Sequence, residues 1–419
     1  MGRARSTGCG CYNPPVALSL YLHIPFCTTR CSYCDFNTYA RLEDRIPAYV
    51  EALAAEIRTV AAGMRSADVA AEDLRVHTVY FGGGTPSLLG AESLRLLLRT
   101  ARSEFEVSPD AEISIEANPG SLSSSRVEAW VRLGVGRLSL GGQSADPADL
   151  TLLGRRHTYA DVVESVRAAR AAGMANLNVD WILGLPHQSL DSWKTTLQRA
   201  LELETEHLSI YSLSLEYGTP LRAWVLRGLV PQPEADLAAD MYEATVERLD
   251  AADFVQYEIS NWARRRPVAE RGSPIEEATF ACRHNLQYWR NQPYLGFGAG
   301  AHGCALGWRY SNVLSPDGYI RAVSNGRPTL PPIGPAAATQ EKTTPTDGMG
   351  ETMFLGLRLV QEGVNEEGFS RRFGRSIAST YGPELERLTE QGLIAHDSGR
   401  LRLTPRGRLL GNRVFEAFV

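Results

Sequence analysis

The chain has 419 residues, 43 basic against 48 acidic side chains, and a net charge of −5. Its length allows two or three domains, and 43% hydrophobic with 22% charged residues excludes a disordered chain, a coiled coil and a fibre. The slight acidity offers no basic field for nucleic acid, and no apolar run of roughly 18 residues is present to span a membrane.

Residues 1–16 are rich in Gly, Pro and Ser and read as a disordered N-terminus without the apolar core of a secretory signal. Seven cysteines stand at 9, 11, 27, 31, 34, 282 and 304, with Cys9 and Cys11 read as incidental. An odd count without an export signal predicts reduced thiols and a cytoplasmic protein. From residue 17 to 235 a βα rhythm repeats. Strands are expected at Ala17–Ile24, Val76–Phe81, Glu112–Ala117, Arg137–Leu140, Asn176–Ile182 and His207–Leu213. Helices are expected between them at Ile46–Ala61, Ala91–Glu104, Ser123–Leu133, Asp161–Ala172 and Leu190–Leu203. Strands alternating with helices imply a parallel sheet, either doubly wound or closed into a barrel. Residues 236–345 change texture: a helix over Glu234–Ala251, an extended Phe254–Trp262, a Gly/aromatic stretch from Phe280 to Tyr310, and a linker-like Asn325–Thr346. Residues 346–419 carry helical patterns and two short runs, Leu393–His396 and Arg400–Leu403, as in a winged-helix module. Its mixed charge favours packing or partner contact over DNA binding.

The strongest chemical signal is Cys27-Thr-Thr-Arg-Cys31-Ser-Tyr-Cys34. Three thiolates in one loop can hold a [4Fe–4S] cube with one iron left open, or a zinc ion completed by His23 or Asp35. In a parallel barrel, ligand residues gather at the C-terminal ends of the strands. There this chain has Gly82-Gly83-Gly84-Thr85-Pro86, Glu116-Ala-Asn118-Pro119, Gly141-Gly142-Gln143, Asp180, and Tyr211 to Ser214. Glycines let a backbone approach a ligand closely, and the polar groups can bind an amino acid and a ribose.

The Cys-x3-Cys-x2-Cys loop after the first strand resembles the radical S-adenosylmethionine (SAM) superfamily. That resemblance implies a partial (β/α)6 TIM-like barrel, a [4Fe–4S] cluster on Cys27, Cys31 and Cys34, and SAM on the open iron. Carried over from the resemblance, Tyr21 and Tyr33 contact SAM and shield the cluster, and Phe36 counts with them among the SAM-site residues. Gly83, Gly84 and Thr85 receive the methionine amino group, and Glu116, Gln143, Arg155, Asp180 and Ser214 are the remaining polar contacts.

Leu20-Tyr21-Leu22-His23-Ile24-Pro25-Phe26-Cys27 is close to the coproporphyrinogen III dehydrogenase branch, as are Cys282-Arg-His284-Asn285-Leu-Gln-Tyr288-Trp289 and Gly296-Phe-Gly298-Ala-Gly300-Ala-His302. The dehydrogenases carry a fourth cysteine two residues after the third, where this chain has Phe36, and a longer N-terminal extension. Both departures resemble the HemW-type haem chaperones. That resemblance implies a carrier that binds haem and delivers it to acceptor proteins, without the oxidative decarboxylation that defines the alternative. Dimerisation and loose association with a membrane surface are tendencies of that family. The segment Cys282–Trp289 is the haem candidate: His284 as ligand with the Cys282 thiol as a soft alternative, Asn285 beside them, and Tyr288 and Trp289 as flat faces. His302 is a second candidate ligand.

Overall fold

The computed structural model describes residues 18–67, 69–70, 74–267, 273–326 and 330–419, so Cys9 and Cys11 lie outside the described residues. Six strands pair in parallel in chain order: β1 (Leu18–Ile24), β2 (Arg75–Gly83), β3 (Glu106–Ala117), β4 (Arg137–Gln143), β5 (Asn176–Leu183) and β6 (His207–Ser212). The helices connecting them are α1 (Ile46–Ser66), α2 (Ala91–Glu104), α3 (Ser124–Arg132), α4 (Tyr159–Ala171) and α5 (Leu190–Glu202). Both sets match the expected rhythm, and α3, α4 and α5 each start at a side-chain cap, Ser123, Thr158 and Ser189. Capping boxes at Thr158 and Ser189 open α4 and α5.

Alternation along the strands divides two environments. Leu18, Leu20, Leu22 and Ile24 of β1 join Leu53 and Ile57 of α1 in the main core. The intervening positions are polar and lie in register across the sheet. Tyr21 pairs with Tyr80, Glu116 with Ser139, Ser139 with Asn178, and Asp180 with Ser209. A period-two pattern with one polar face makes the concave side of this sheet a place for ligands rather than for oil.

Three features depart from the sequence reading. A seventh parallel strand, β9 (Tyr294–Phe297), pairs with the free edge of β1. It is short and glycine-containing, so local periodicity gave no strand signal. Antiparallel strands extend the sheet on both sides: β7 (Phe254–Glu258) and β8 (Asn261–Arg264) beyond β6, and β10 (His302–Ala305), β11 (Trp308–Asn312) and β12 (Ala337–Lys342) beyond β9. Ala337–Lys342 falls inside the segment read as a linker; its hydrogen bonds to β11 hold a polar, exposed sequence in a strand.

α6 (Ala235–Asp250) packs behind the sheet, and α7 (Arg283–Trp289) follows β8. The C-terminal region has its own core of Met353, Leu357, Phe369, Leu388, Leu401 and Val414. It combines helices with a three-stranded sheet of Val364–Asn365, Arg400–Leu403 and Ile394–Asp397. Arg290 ties it to the rest by ion pairs to Glu276 at 2.8 Å and Glu362 at 2.5 Å. No helix among the described residues is long and apolar enough to cross a membrane.

Candidate cofactor site

The cysteine loop leaves the C-terminal end of β1 and is anchored at its centre. Ser32 donates from its backbone N–H to Leu153 O at 3.1 Å and from its hydroxyl to Leu152 O at 2.7 Å. The Leu221 N–H, in the short helix Pro220–Leu226, donates to Ser32 O at 2.9 Å. On the other side the Gly84 and Thr85 amides bond Ile24 O and Phe26 O, both at 2.8 Å. A Cβ on Gly84 would stand 2.7 Å from Phe26 O and 3.0 Å from Cys27 Sγ, so only glycine lets this strand end approach the thiol.

Cys27, Cys31 and Cys34 all line one cavity of about 570 Å³ over the concave face of the sheet. Thr85 donates to Cys27 Sγ at 3.5 Å, and Arg155 Nη1 to Cys31 Sγ at 3.4 Å. Burial raises the Cys27 and Cys34 thiols above their ordinary range, with mutual repulsion adding to it. A metal centre would draw off those protons, since the thiolate is the ligand. Among the described residues no three His, Cys, Asp or Glu side chains are arranged to hold a single metal ion. His23 cannot complete a zinc site as it stands. Its Nε2 bonds Asn37 O at 2.9 Å and its Nδ1 bonds the Tyr21 hydroxyl at 3.0 Å. Three thiols facing one cavity, each beside a hydrogen-bond donor or a neighbouring thiol, fit a cluster in which every thiolate binds its own iron.

The expected SAM contacts Tyr21, Tyr33, Phe36, Gly83, Gly84, Thr85, Glu116, Gln143, Arg155, Asp180 and Ser214 all line this same cavity. Glu116 accepts from the Tyr80 hydroxyl at 2.8 Å and the Gly83 N–H at 3.0 Å. Burial, reinforced by the charge of Asp180, still pushes its carboxyl up to about 7. Asp180 is also raised by burial, against hydroxyl and amide donors from Ser209, Asn178 and Ser139. Arg155 Nη2 donates to Asn118 Oδ1 at 2.8 Å and Gly141 O at 2.7 Å, while its buried Nε has no hydrogen-bond partner. Asn118 in turn donates to Thr85 Oγ1 at 2.9 Å.

Asn118, already singled out in its strand-end motif, joins Thr85 to Arg155. Sequence reasoning missed other wall residues: Tyr80 holds Glu116, and Arg137, Asn178 and His207 form a polar floor. The polar half of each strand's alternation was the signal that would have found them.

The haem-candidate segment is split. Cys282, His284, Asn285 and Tyr288 line the large cavity, but Trp289 does not. Trp289 packs instead under the Arg358 guanidinium, 4.3 Å from its ring centre, beside a small core of Tyr257, Ala281 and Leu286. Residues 288 and 289 are neighbours on one helical turn, so about 100° of rotation sends them to different surroundings. His284 is buried and stacked on Tyr80, with Nδ1 bonded to Thr78 at 2.7 Å and Nε2 to Tyr288 at 2.9 Å. Burial lowers it to about 3, and that of Cys282 raises its thiol to about 12. His302 lies elsewhere, in a second cavity of about 440 Å³.

The profile of the Radical SAM superfamily matches residues 21–200, and that of the HemN C-terminal domain matches residues 343–410. The chain is 37% identical to the Bacillus subtilis heme chaperone HemW, over 96% of this chain and 99% of that protein. It is 33% identical to the Escherichia coli heme chaperone HemW, over 97% and 98%. It is 40% identical to the mouse mitochondrial radical S-adenosyl methionine domain-containing protein 1, over 93% and 84%. Among solved structures, the fold is similar to that of E. coli coproporphyrinogen III oxidase HemN, with TM-score 0.78, 23% identity, and 96% and 90% of the two chains covered. The architecture, the thiol-lined cavity and these near full-length identities agree: the chain belongs to the HemW family of heme chaperones within the radical SAM superfamily.

Proposed function

We propose that the chain binds haem and passes it to acceptor proteins, with Cys27, Cys31 and Cys34 holding a [4Fe–4S] cluster and the adjoining polar wall holding SAM. In this reading Glu116 and Asp180 take the cationic and hydroxyl groups of SAM. Arg155 offers its unpartnered Nε to a carboxylate or to cluster sulfur. When bound, the cluster supplies one-electron reduction at low potential. The protein's residues orient SAM, restrain the thiols and limit water on the concave face.

The observation that carries the carrier reading is Phe36. It stands where the dehydrogenase pattern has a fourth cysteine, and it is 62% exposed at the rim of the cavity. An exposed aromatic there suits a passing apolar macrocycle better than it suits core packing. The test is titration of anaerobically reconstituted full-length protein with haemin. A Soret shift saturating near one haem per chain is expected, and no saturable shift refutes the reading. In parallel, incubation with coproporphyrinogen III, SAM and a reductant is expected to give no decarboxylated product beside an active control enzyme.

A further inference from the structure

β4 enters the barrel at Arg137, a residue for which the cofactor reading has no use. Its side chain is 3% exposed and lines the large cavity. Burying a guanidinium is costly, and buried charges are ordinarily paired with an opposite one. Arg137 has no such partner. Its Nη1 donates to Asn176 Oδ1 at 2.8 Å and to Phe280 O at 3.1 Å, both neutral acceptors. Its Nε and Nη2 have no acceptor among the described residues.

The acids that feel its charge, Glu112 and Asp180, are taken up elsewhere. Glu112 accepts from Cys282 Sγ at 3.5 Å and from the His284 N–H at 3.2 Å. Asp180 accepts from Asn178 Nδ2 at 2.7 Å and from the Ser139 hydroxyl at 3.3 Å. A buried cation with an unused donor edge toward a cavity is therefore complete only with an anion from outside the chain.

The position of Arg137 says which anion. Phe280, whose carbonyl it holds, stands two residues before Cys282, and Cys282 lines the same cavity with His284, Asn285 and Tyr288 of α7. The cluster end lies further along β4. Gly141, four residues on, accepts from Arg155, the donor to Cys31. At about 3.3 Å per residue that is about 13 Å up the strand. In the cofactor reading the methionine carboxylate of SAM sits at that upper end, so the anion at Arg137 is a second one.

The Nε and Nη2 hydrogens of arginine form the planar fork that matches a carboxylate with two parallel hydrogen bonds. Haem carries two propionate carboxylates on an otherwise apolar ring. We propose that Arg137 anchors the haem cargo by one propionate, gripped through Nε and Nη2 at the floor of the large cavity. The proposal rests on the haem-carrier reading above and adds its selectivity: a ring bearing free carboxylates is held, and one whose carboxylates are masked is not. The bound carboxylate offsets the buried charge, so the donor edge that is unused in the chain alone becomes the source of discrimination.

The test titrates the anaerobically reconstituted full chain with haemin and with haemin dimethyl ester in the same detergent. Wild type is expected to bind haemin at least tenfold more tightly than the ester. Arg137→Gln is expected to lose at least tenfold in haemin affinity, keep its ester affinity within a factor of two, and so lose the discrimination. If wild type shows no saturable haemin binding, the carrier reading fails and the anchor with it. If wild type binds haemin and ester alike, or Arg137→Gln still discriminates between them, the anchor is wrong and the carrier reading stands. A loss of SAM affinity in Arg137→Gln with haemin affinity kept would assign the guanidinium to SAM and likewise overturn the anchor. Should Arg137→Gln lose its circular dichroism signal, Arg137→Lys, which keeps the charge without the fork, is expected to bind haemin several-fold more weakly; unchanged affinity there overturns the proposal.

Discussion

Arg155 donates to the sulfur of Cys31 at 3.4 Å across 124 residues of chain. The same guanidinium holds Asn118 and Gly141, so the loop bearing the thiols and the ends of two strands share one rigid donor. Groups placed around ligands in this way orient them, and losing one commonly costs about 10–100-fold in metal affinity. Arg155→Ala is therefore expected to lose iron about tenfold or more faster under chelator challenge, measured as iron and sulfide per chain. Retention equal to wild type would remove Arg155 from the cluster's support.

Glu116 should make SAM binding depend on pH. Burial raises its carboxyl to about 7, and a bound cation favours the ionised form. Below about pH 7 the proton must leave on binding, so the dissociation constant should rise by up to about tenfold per unit as pH falls. Above pH 7 the dependence should flatten. Calorimetry in buffers of different ionisation enthalpy should register close to one proton released near pH 6. Glu116→Gln should bind more weakly and without this slope.

Gly84→Ala places a Cβ against backbone and thiol, 2.7 Å from Phe26 O. Overpacking of this kind costs about 1–3 kcal/mol and shifts the neighbours. A lower denaturation midpoint together with poor cluster reconstitution is expected. Gly382→Ala, at the kink between Tyr381 and Pro383 with no atom within 4 Å of its added Cβ, should stay within about 0.5 kcal/mol of wild type.

Trp289→Ala separates packing from cargo binding. The ring lies under Arg358 and outside both cavities. Removing a partly buried Trp should cost about 2–3 kcal/mol of stability, read by denaturant unfolding. The haem affinity should stay within a factor of two. A large loss of affinity at unchanged stability would return Trp289 to the haem site.

Local chemistry determined what the sequence alone could tell. The cysteine spacing, the strand–helix alternation and the polar residues at strand ends are all set within a few residues, so the parallel βα sheet and its thiol loop were legible without coordinates, while the choice of a barrel over a doubly wound sheet came from the family resemblance. The placement of Cys282–Trp289 and His302 was not. Whether His284 is free depends on Thr78, more than 200 residues away along the chain, and whether Trp289 faces a cavity depends on Arg358. The same holds for β9, whose short glycine-bearing sequence becomes a strand only because β1 offers it an unpaired edge. Periodicity reports which face a residue occupies on its own element. Only the folded chain decides what occupies the other side, and therefore which imidazole remains available to a ligand.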